Sequence, residues 1–256
     1  MCEIFGANAK NPTPVNSYLQ EFYSHSCRHP HGWGIALLNE EQAWIEKEPL
    51  EADKSDYAKI LLDSPIKAKV VLSHIRYATI GNVEYKNCHP FTGKDCTGRR
   101  WTMIHNGTIF DFAPLNGYVK SQNGDTDSER ILLYILDRVN EKIEKDGALS
   151  GEQRFWLINS IVSDMAEGNK LNLLIYDEEY MYVHTNYENS LHYFQREDQV
   201  IVTTEALEQG EWKKVPMTTL FAYKNGSLVF TGTNHGHVYE DNEENMKFLY
   251  QIFSSL

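Results

Sequence analysis

Cysteine is scarce and unpatterned in this chain. The four present, Cys2, Cys27, Cys88 and Cys96, form no Cys-x-x-Cys pair and no dense framework. That argues against a disulfide scaffold and fits reduced thiols in a cytoplasmic protein. No stretch approaches the roughly 18 apolar residues of a membrane span. No basic segment followed by an apolar run opens the chain, so neither a membrane-embedded form nor a secretory signal is expected. Positive charge is thin as well: the formal net charge is −12, and no basic cluster is longer than Gly98-Arg99-Arg100. Such a surface repels phosphate backbones and makes nucleic acid a poor partner. Internal repeats, low-complexity tracts and linkers are also missing.

What remains is a chain built to pack. Of 256 residues, 41% are hydrophobic and 12% aromatic, enough for a real core, and the expectation is a single domain over 1–256. Strand-like runs recur at Glu3–Ala7, Gly34–Leu38, Ala43–Lys47, Lys69–His74, Thr102–His105, Leu171–Tyr176, Met181–Thr185, Val200–Thr204, Thr219–Lys224 and Ser227–Thr231. Short turns such as Tyr176-Asp177-Glu178-Glu179 and Lys224-Asn225-Gly226 separate several of them, which predicts hairpins and antiparallel sheets. Ile131, Leu132, Ile135, Leu136, Val139 and Ile143 form one helical stripe, and Phe155, Ile158, Ile161, Val162 and Met165 another. Shorter helices are expected around Val15–Tyr23, Tyr57–Leu62 and Glu244–Phe253. Helices packed outside two stacked sheets would bury every one of these faces, an α+β, four-layer arrangement.

The most informative position is the second. Once an initiator methionine is removed, Cys2 carries a thiol and a free α-amine on one carbon, a nucleophile with its own base. An α-amine titrates near 7.7–8.0 against about 10.4 for lysine, so proton transfer from thiol to amine is nearly thermoneutral. Taken by position alone, Cys2 also reads as a small apolar residue opening a strand.

Further segments carry chemistry-bearing side chains, each with a plainer explanation beside it. In Ser73-His74-Ile75-Arg76-Tyr77-Ala78-Thr79-Ile80-Gly81, a guanidinium just past a strand end suits a carboxylate, or is a surface arginine. In His105-Asn106-Gly107-Thr108, a carboxamide beside an open glycine N–H provides the two donors of an oxyanion hole, or simply a turn. Asp125-Thr126-Asp127-Ser128-Glu129 opens the mid-chain helix. Thr126 and Glu129 fit a capping box and Asp127 suits the helix dipole, although the Asp127 carboxylate would equally receive an ammonium group. Gly32-Trp33-Gly34 precedes a strand, and Asn87-Cys88-His89-Pro90-Phe91 follows Gly81. Cys88-His89 with Cys96, and Asn234-His235-Gly236-His237, match no zinc spacing, so no metal or other cofactor is expected.

Together and in this order, these pieces resemble the class II glutamine amidotransferases, whose catalytic domains are N-terminal nucleophile hydrolases. The stand-alone branch that includes γ-glutamyl amidohydrolases is closer still, and Thr204-Glu205-Ala206-Leu207, Trp212 and Val215-Pro216 look like its closing segment. The resemblance implies an αββα sandwich and a glutaminase-type reaction. By it, Cys2 attacks a γ-glutamyl carbonyl, Asn106 and the Gly107 N–H hold the oxyanion, and Arg76 and Asp127 bind the α-carboxylate and α-ammonium. His105 and Thr79 are expected beside the substrate. The chain departs from the family at His31, where aspartate is common, at Cys88 in place of threonine, and at Tyr77. The implied substrate is glutamine or a γ-glutamyl conjugate. With no fused synthase domain expected, true amidotransfer would need a separate acceptor or synthase subunit. The alternative is a catalytically silent, glutamine-binding regulatory module, favoured if Met1 is retained.

Overall fold

The computed structural model describes residues 2–39 and 43–253, with side chains described to Leu249. In chain order the elements are β1 (Glu3–Pro14), α1 (Asn16–Ser24), β2 (Trp33–Leu38), β3 (Ala43–Glu48), α2 (Asp56–Asp63), β4 (Lys67–Ile75), β5 (Phe91–Lys94), β6 (Arg100–Thr108), α3 (Asp127–Asp146), α4 (Gly151–Ala166), β7 (Lys170–Tyr176), β8 (Met181–His184), β9 (His192–Arg196), β10 (Gln199–Thr203), β11 (Lys213–Lys214), β12 (Phe221–Lys224), β13 (Ser227–Thr231) and α5 (Glu243–Phe253). Met1, which the nucleophile reading depends on, lies outside the described residues.

The strands form two sheets with antiparallel pairing throughout. One has seven strands in the order β11-β9-β10-β1-β4-β2-β3, the other six in the order β13-β12-β8-β7-β6-β5. Three apolar layers hold the stack together. Ile4, Leu72, Ile104, Leu174, Met181 and Val202 fill the space between the sheets. Phe5, Val71 and Ile201 pack outward against Leu19 and Phe22 of α1. Met103, Leu173 and Ile175 pack outward against the stripes of α3 and α4. Successive strand residues point to opposite faces, so Ile4 and Phe5 serve different layers, and strands covered on both sides read as unbroken apolar runs. The expected αββα sandwich is the observed one.

The helices start and stop for local reasons. Thr126 caps α3 by accepting from the Glu129 N–H, while Gly147 (φ 82°) ends it and donates its N–H to Ile143. The expected reciprocal box at α3 does not form. Glu129 reaches past the cap and accepts instead from the N–H groups of Asn123 and Gly124, both at 2.7 Å, tightening the loop before the helix. A full capping box does appear at α4, between Ser150 and Gln153. Among the described residues no helix is long and apolar enough to cross a membrane.

One crossing pins the loop after β4 to the first sheet. A Cβ on Gly34 would stand 2.0 Å from the carbonyl oxygen of His89, so only glycine lets β2 pass beneath that loop. Beside it, the Lys47 ammonium donates to the carbonyls of Cys88 at 2.7 Å and Pro90 at 3.3 Å. Trp33 is fully buried and donates from Nε1 to Glu48 at 3.0 Å. The Gly-Trp-Gly segment is thus a packing solution. Gly34→Ala is expected to lower the unfolding free energy by about 1–3 kcal/mol, as overpacked interiors do, read as a lower urea midpoint with an unchanged slope.

Candidate functional site

Pairing of β1 with β4 sets Glu3 opposite Ile75, and the two chains keep the same approach beyond that pair. Cys2 therefore meets the residues that follow β4. Its thiol donates to the Tyr77 carbonyl at 3.2 Å, and its sulfur accepts from the Tyr77 N–H at 3.3 Å. Burial pushes the Cys2 thiol above its ordinary pKa. The Tyr77 N–H and the Arg76 charge pull it back, and the Asp127 charge raises it again. The sulfur is a protonated thiol that needs a base before it can attack.

Arg76 and Asp127 are buried charges without ion-pair partners among the described residues. Arg76 is 3% exposed, and its guanidinium donates to the carbonyls of Asn82, Ile80 and Gly81 at 2.9–3.0 Å. Those bonds hold the loop after β4 and use three of the five N–H groups a guanidinium offers. Asp127 is 5% exposed at the start of α3 and accepts from the N–H groups of Ile109 and Ser128, each at 2.9 Å. Buried charges are ordinarily paired, so a guanidinium and a carboxylate without ion-pair partners, both acting on one thiol, set this place apart.

Asn106 and Gly107 close β6. A Cβ at Gly107 would lie 1.9 Å from the Lys170 carbonyl, so the tight approach of β7 demands glycine. The Asn106 carboxamide is 97% buried and has no side-chain hydrogen-bond partner among the described residues. Two cavities meet at Cys2 and Asn106. The smaller, about 30 Å³, adds Thr79, Gly107 and Thr108 from the sandwich and is closed by Tyr239, Asp241 and Leu249 from the C-terminal segment. The larger, about 340 Å³, adds Glu3, Arg28, Tyr77, Thr204 and Glu205 among others.

Of the residues expected here, Cys2, Asn106, Gly107 and Thr79 come together at these cavities. Arg76 and Asp127 line neither cavity, and reach the site through the effect of their charges on the Cys2 thiol. His105 lines neither: its imidazole bridges Ser128 Oγ at 3.0 Å and the Lys170 carbonyl at 3.4 Å, supporting the strand end from behind. His31 holds the Arg76 loop, accepting from the Ala78 N–H at 2.9 Å, a neutral-imidazole contact. Sequence reasoning missed Lys170, Tyr239 and Asp241, which adjoin the small cavity, because nothing local marks them. Lys170 lies over the Tyr187 ring at 3.2 Å, and burial lowers its pKa to about 8. Among the described residues, the one grouping with metal-ligand spacing is Glu3, His25 and Glu205, and Arg28 already contacts both carboxylates.

A four-layer αββα sandwich with a thiol at the head of a central strand has the architecture of N-terminal nucleophile hydrolases. The structure of glutamine phosphoribosylpyrophosphate amidotransferase from Bacillus subtilis superposes with a TM-score of 0.67 and 19% identity, covering 92% of this chain and 49% of that one. A predicted glutamine amidotransferase from Pseudomonas aeruginosa PA01 gives a TM-score of 0.66 at 23% identity, over 90% of this chain and 100% of that one. At such identities these likenesses attest the fold. In sequence, YafJ of Escherichia coli strain K12, provisionally named a glutamine amidotransferase, is 29% identical over 200 residues, covering 77% of this chain and 76% of YafJ. The family model for class-II glutamine amidotransferases matches residues 1–200. The chain belongs to that family.

The buried histidines make acid the sensitive direction. The rings of His74 and His89 lie with centroids 4.0 Å apart, tilted by 31°, and burial drives both pKa values well below the usual range. His184 donates from Nδ1 to the Leu171 carbonyl at 2.8 Å and accepts at Nε2 from His235 Nε2 at 2.9 Å, while His235 Nδ1 accepts from the His237 N–H at 3.1 Å. Burial lowers His184 to about 3 and His235 to about 4. These rings bind protons more weakly folded than unfolded, so their contribution is full above the unfolded value of about 6.5. It is lost as pH falls from there through about 4 for His235 and about 3 for His184. Thermal midpoints measured from pH 8 to pH 4 are expected to fall mainly below pH 6.5.

Proposed function

We propose that the protein is a cysteine-dependent amidase that cleaves the γ-amide of glutamine or of a γ-glutamyl conjugate. The observation that carries this reading is the pair of buried, unpaired charges, Arg76 and Asp127, both acting electrostatically on the Cys2 thiol. A free amino acid head carries one carboxylate and one ammonium. Arg76 binds the first with its remaining N–H groups, and Asp127 receives the second.

With Met1 removed, the Cys2 α-amine takes the thiol proton and the sulfur adds to the γ-carbonyl. The oxyanion is held by the Asn106 carboxamide, which has no competing partner, and by the Gly107 N–H. The C–N bond then breaks, the departing nitrogen leaves with the proton, and the acyl group stays on sulfur as a thioester. Water cleaves the thioester, giving glutamate and restoring the thiol. Ammonia released in this way is what a synthase partner would consume.

Intact-mass spectrometry before and after exposure to diazo-oxo-norleucine, an electrophilic glutamine analogue, tests the reading. Loss of Met1 and a single adduct on Cys2 are expected; a full-length mass without that adduct would replace the amidase with a silent binding module. Asn106→Ala is expected to cut kcat for glutamine hydrolysis by roughly 10²–10³-fold, the usual effect of deleting an oxyanion donor. Arg76→Lys is expected to act mainly on KM, since a point charge cannot reproduce the fork of the guanidinium.

A further inference from the structure

Two cavities share Cys2 and Asn106, and an amide has two sides. The small cavity, with Thr79 and Gly107, adjoins the proposed site for the glutamyl head. The other opens from the same sulfur, is about 340 Å³, and lies in the volume range of ligand sites. Ammonia is about the size of water, which occupies roughly 30 Å³ of liquid. A cleft of this size on the remaining side of the scissile bond is far larger than glutamine hydrolysis needs.

Its wall is also charged in a definite way. Glu3 is almost fully buried, and its carboxylate meets His25 at 2.8 Å, Arg28 at 3.1 Å and His29 at 3.5 Å. Arg28 extends from there to grip both oxygens of Glu205, at 3.0 and 2.9 Å. Glu3 is closed over by His25, Arg28 and His29, whereas the Glu205 carboxylate, 48% exposed, is the acidic group of this cluster that stands open to the cleft, in a chain of net charge −12. The Asn106 carboxamide, 97% buried and unpartnered among the described residues, faces into this cleft as well as the smaller cavity.

We propose that this cleft is the subsite for the leaving amine, and that the preferred substrate is a γ-glutamyl amide of an amine bearing a second, cationic group. The inference rests on the amidase reading and specifies its substrate. The half-exposed Glu205 carboxylate receives the distal ammonium, Arg28 holds it in place by bridging to the buried Glu3, and the scissile nitrogen lies between Cys2 and the cleft. Thioester formation expels the amine into the cleft with the proton taken from the thiol. Water then enters from the same side and regenerates the thiol, so that amide and water give glutamate and free amine.

The test compares kcat/KM for three substrates: L-glutamine, γ-glutamylglycine and the mono-γ-glutamyl amide of 1,4-diaminobutane. The diamine amide is expected to lead the other two by roughly tenfold or more at low salt, with the lead shrinking as salt rises. Glu205→Gln should reduce that lead and Arg28→Gln should enlarge it. Opposite responses of this kind do not arise from a general loss of folding. Equal or better turnover of glutamine would make the cleft only an exit for ammonia and overturn the proposal. Preference for γ-glutamylglycine would overturn it in favour of an Arg28-dominated, anion-binding cleft. Calorimetry on Cys2→Ala separates binding from chemistry: tighter binding of the diamine amide than of glutamine supports the subsite, and equal binding sinks it. Labelling of Cys2 by diazo-oxo-norleucine reports on the glutamyl head alone, so failure of the amidase reading is told apart from failure of the cleft.

Discussion

The antiparallel pairing of β1 with β4 is the constraint on which the site depends. It places the residue before β1 against the residues after β4, and so brings Cys2 to the Tyr77 backbone and into the field of Arg76. These partners are 75 residues apart in sequence. Since β1 lies between β10 and β4, the same strand also lines up Thr204, whose hydroxyl accepts from the Ile4 N–H at 2.9 Å. A slip of one residue in this register would turn Ile4 and Phe5 to the wrong layers. The position of the thiol is thereby tied to the packing of the whole sandwich.

Around this centre the protein accumulates polar groups that lack ordinary partners. Arg76 spends three donors on loop carbonyls, Asp127 accepts from the N–H groups of Ile109 and Ser128 and from the Ser128 hydroxyl, and the rings of His74 and His89 lie buried with no hydrogen-bond partner among the described residues. Each such group is costly in a close-packed interior. They persist because the three apolar layers and the crossing of β2 beneath the His89 loop over-determine their positions. The far end of the sandwich shows the opposite habit. There Arg154 bonds Asp177 at 2.7 Å and Glu179 at 2.5 Å, Lys224 bonds Glu179 at 2.9 Å, and Tyr182 donates to Asp177 at 2.8 Å, so two cations match two carboxylates.

Much of the architecture was legible because local patterns and tertiary needs agree. The stripes of α3 and α4 bury the residues that their spacing picks out, and the Asn225-Gly226 hairpin adopts positive φ at both positions. The strands β5, β9 and β11 were not anticipated. They are short, and β9 and β11 are edge-side and polar, as in His192-Tyr193-Phe194-Gln195-Arg196, so neither length nor alternation announces them. At the site, motif order pointed to Cys2, Asn106 and Gly107, which the fold gathers at one place. It could not show that His105 would turn toward Ser128, that Glu129 would bond Asn123 and Gly124, or that Glu3, Arg28 and Glu205 would interlock from three distant segments. Those outcomes depend on side-chain direction, which sequence spacing leaves undetermined.

The small cavity beside Cys2 has two kinds of wall. Thr79, Gly107 and Thr108 belong to the sandwich, where hydrogen-bonded strands and buried loops hold them. Tyr239, Asp241 and Leu249 belong to the C-terminal segment, which leans on the rest through the Phe110–Tyr239 stack, the Tyr187 hydroxyl bond to Asp241 and the histidine chain at His235. At about 30 Å³ the space between these walls is small beside the adjoining cleft of about 340 Å³. The cavity is therefore bounded by two structurally different parts of the polypeptide. A change at Tyr239 or Asp241 would reshape one wall of this cavity without touching the strand that carries Asn106 and Gly107, so the two walls can vary independently.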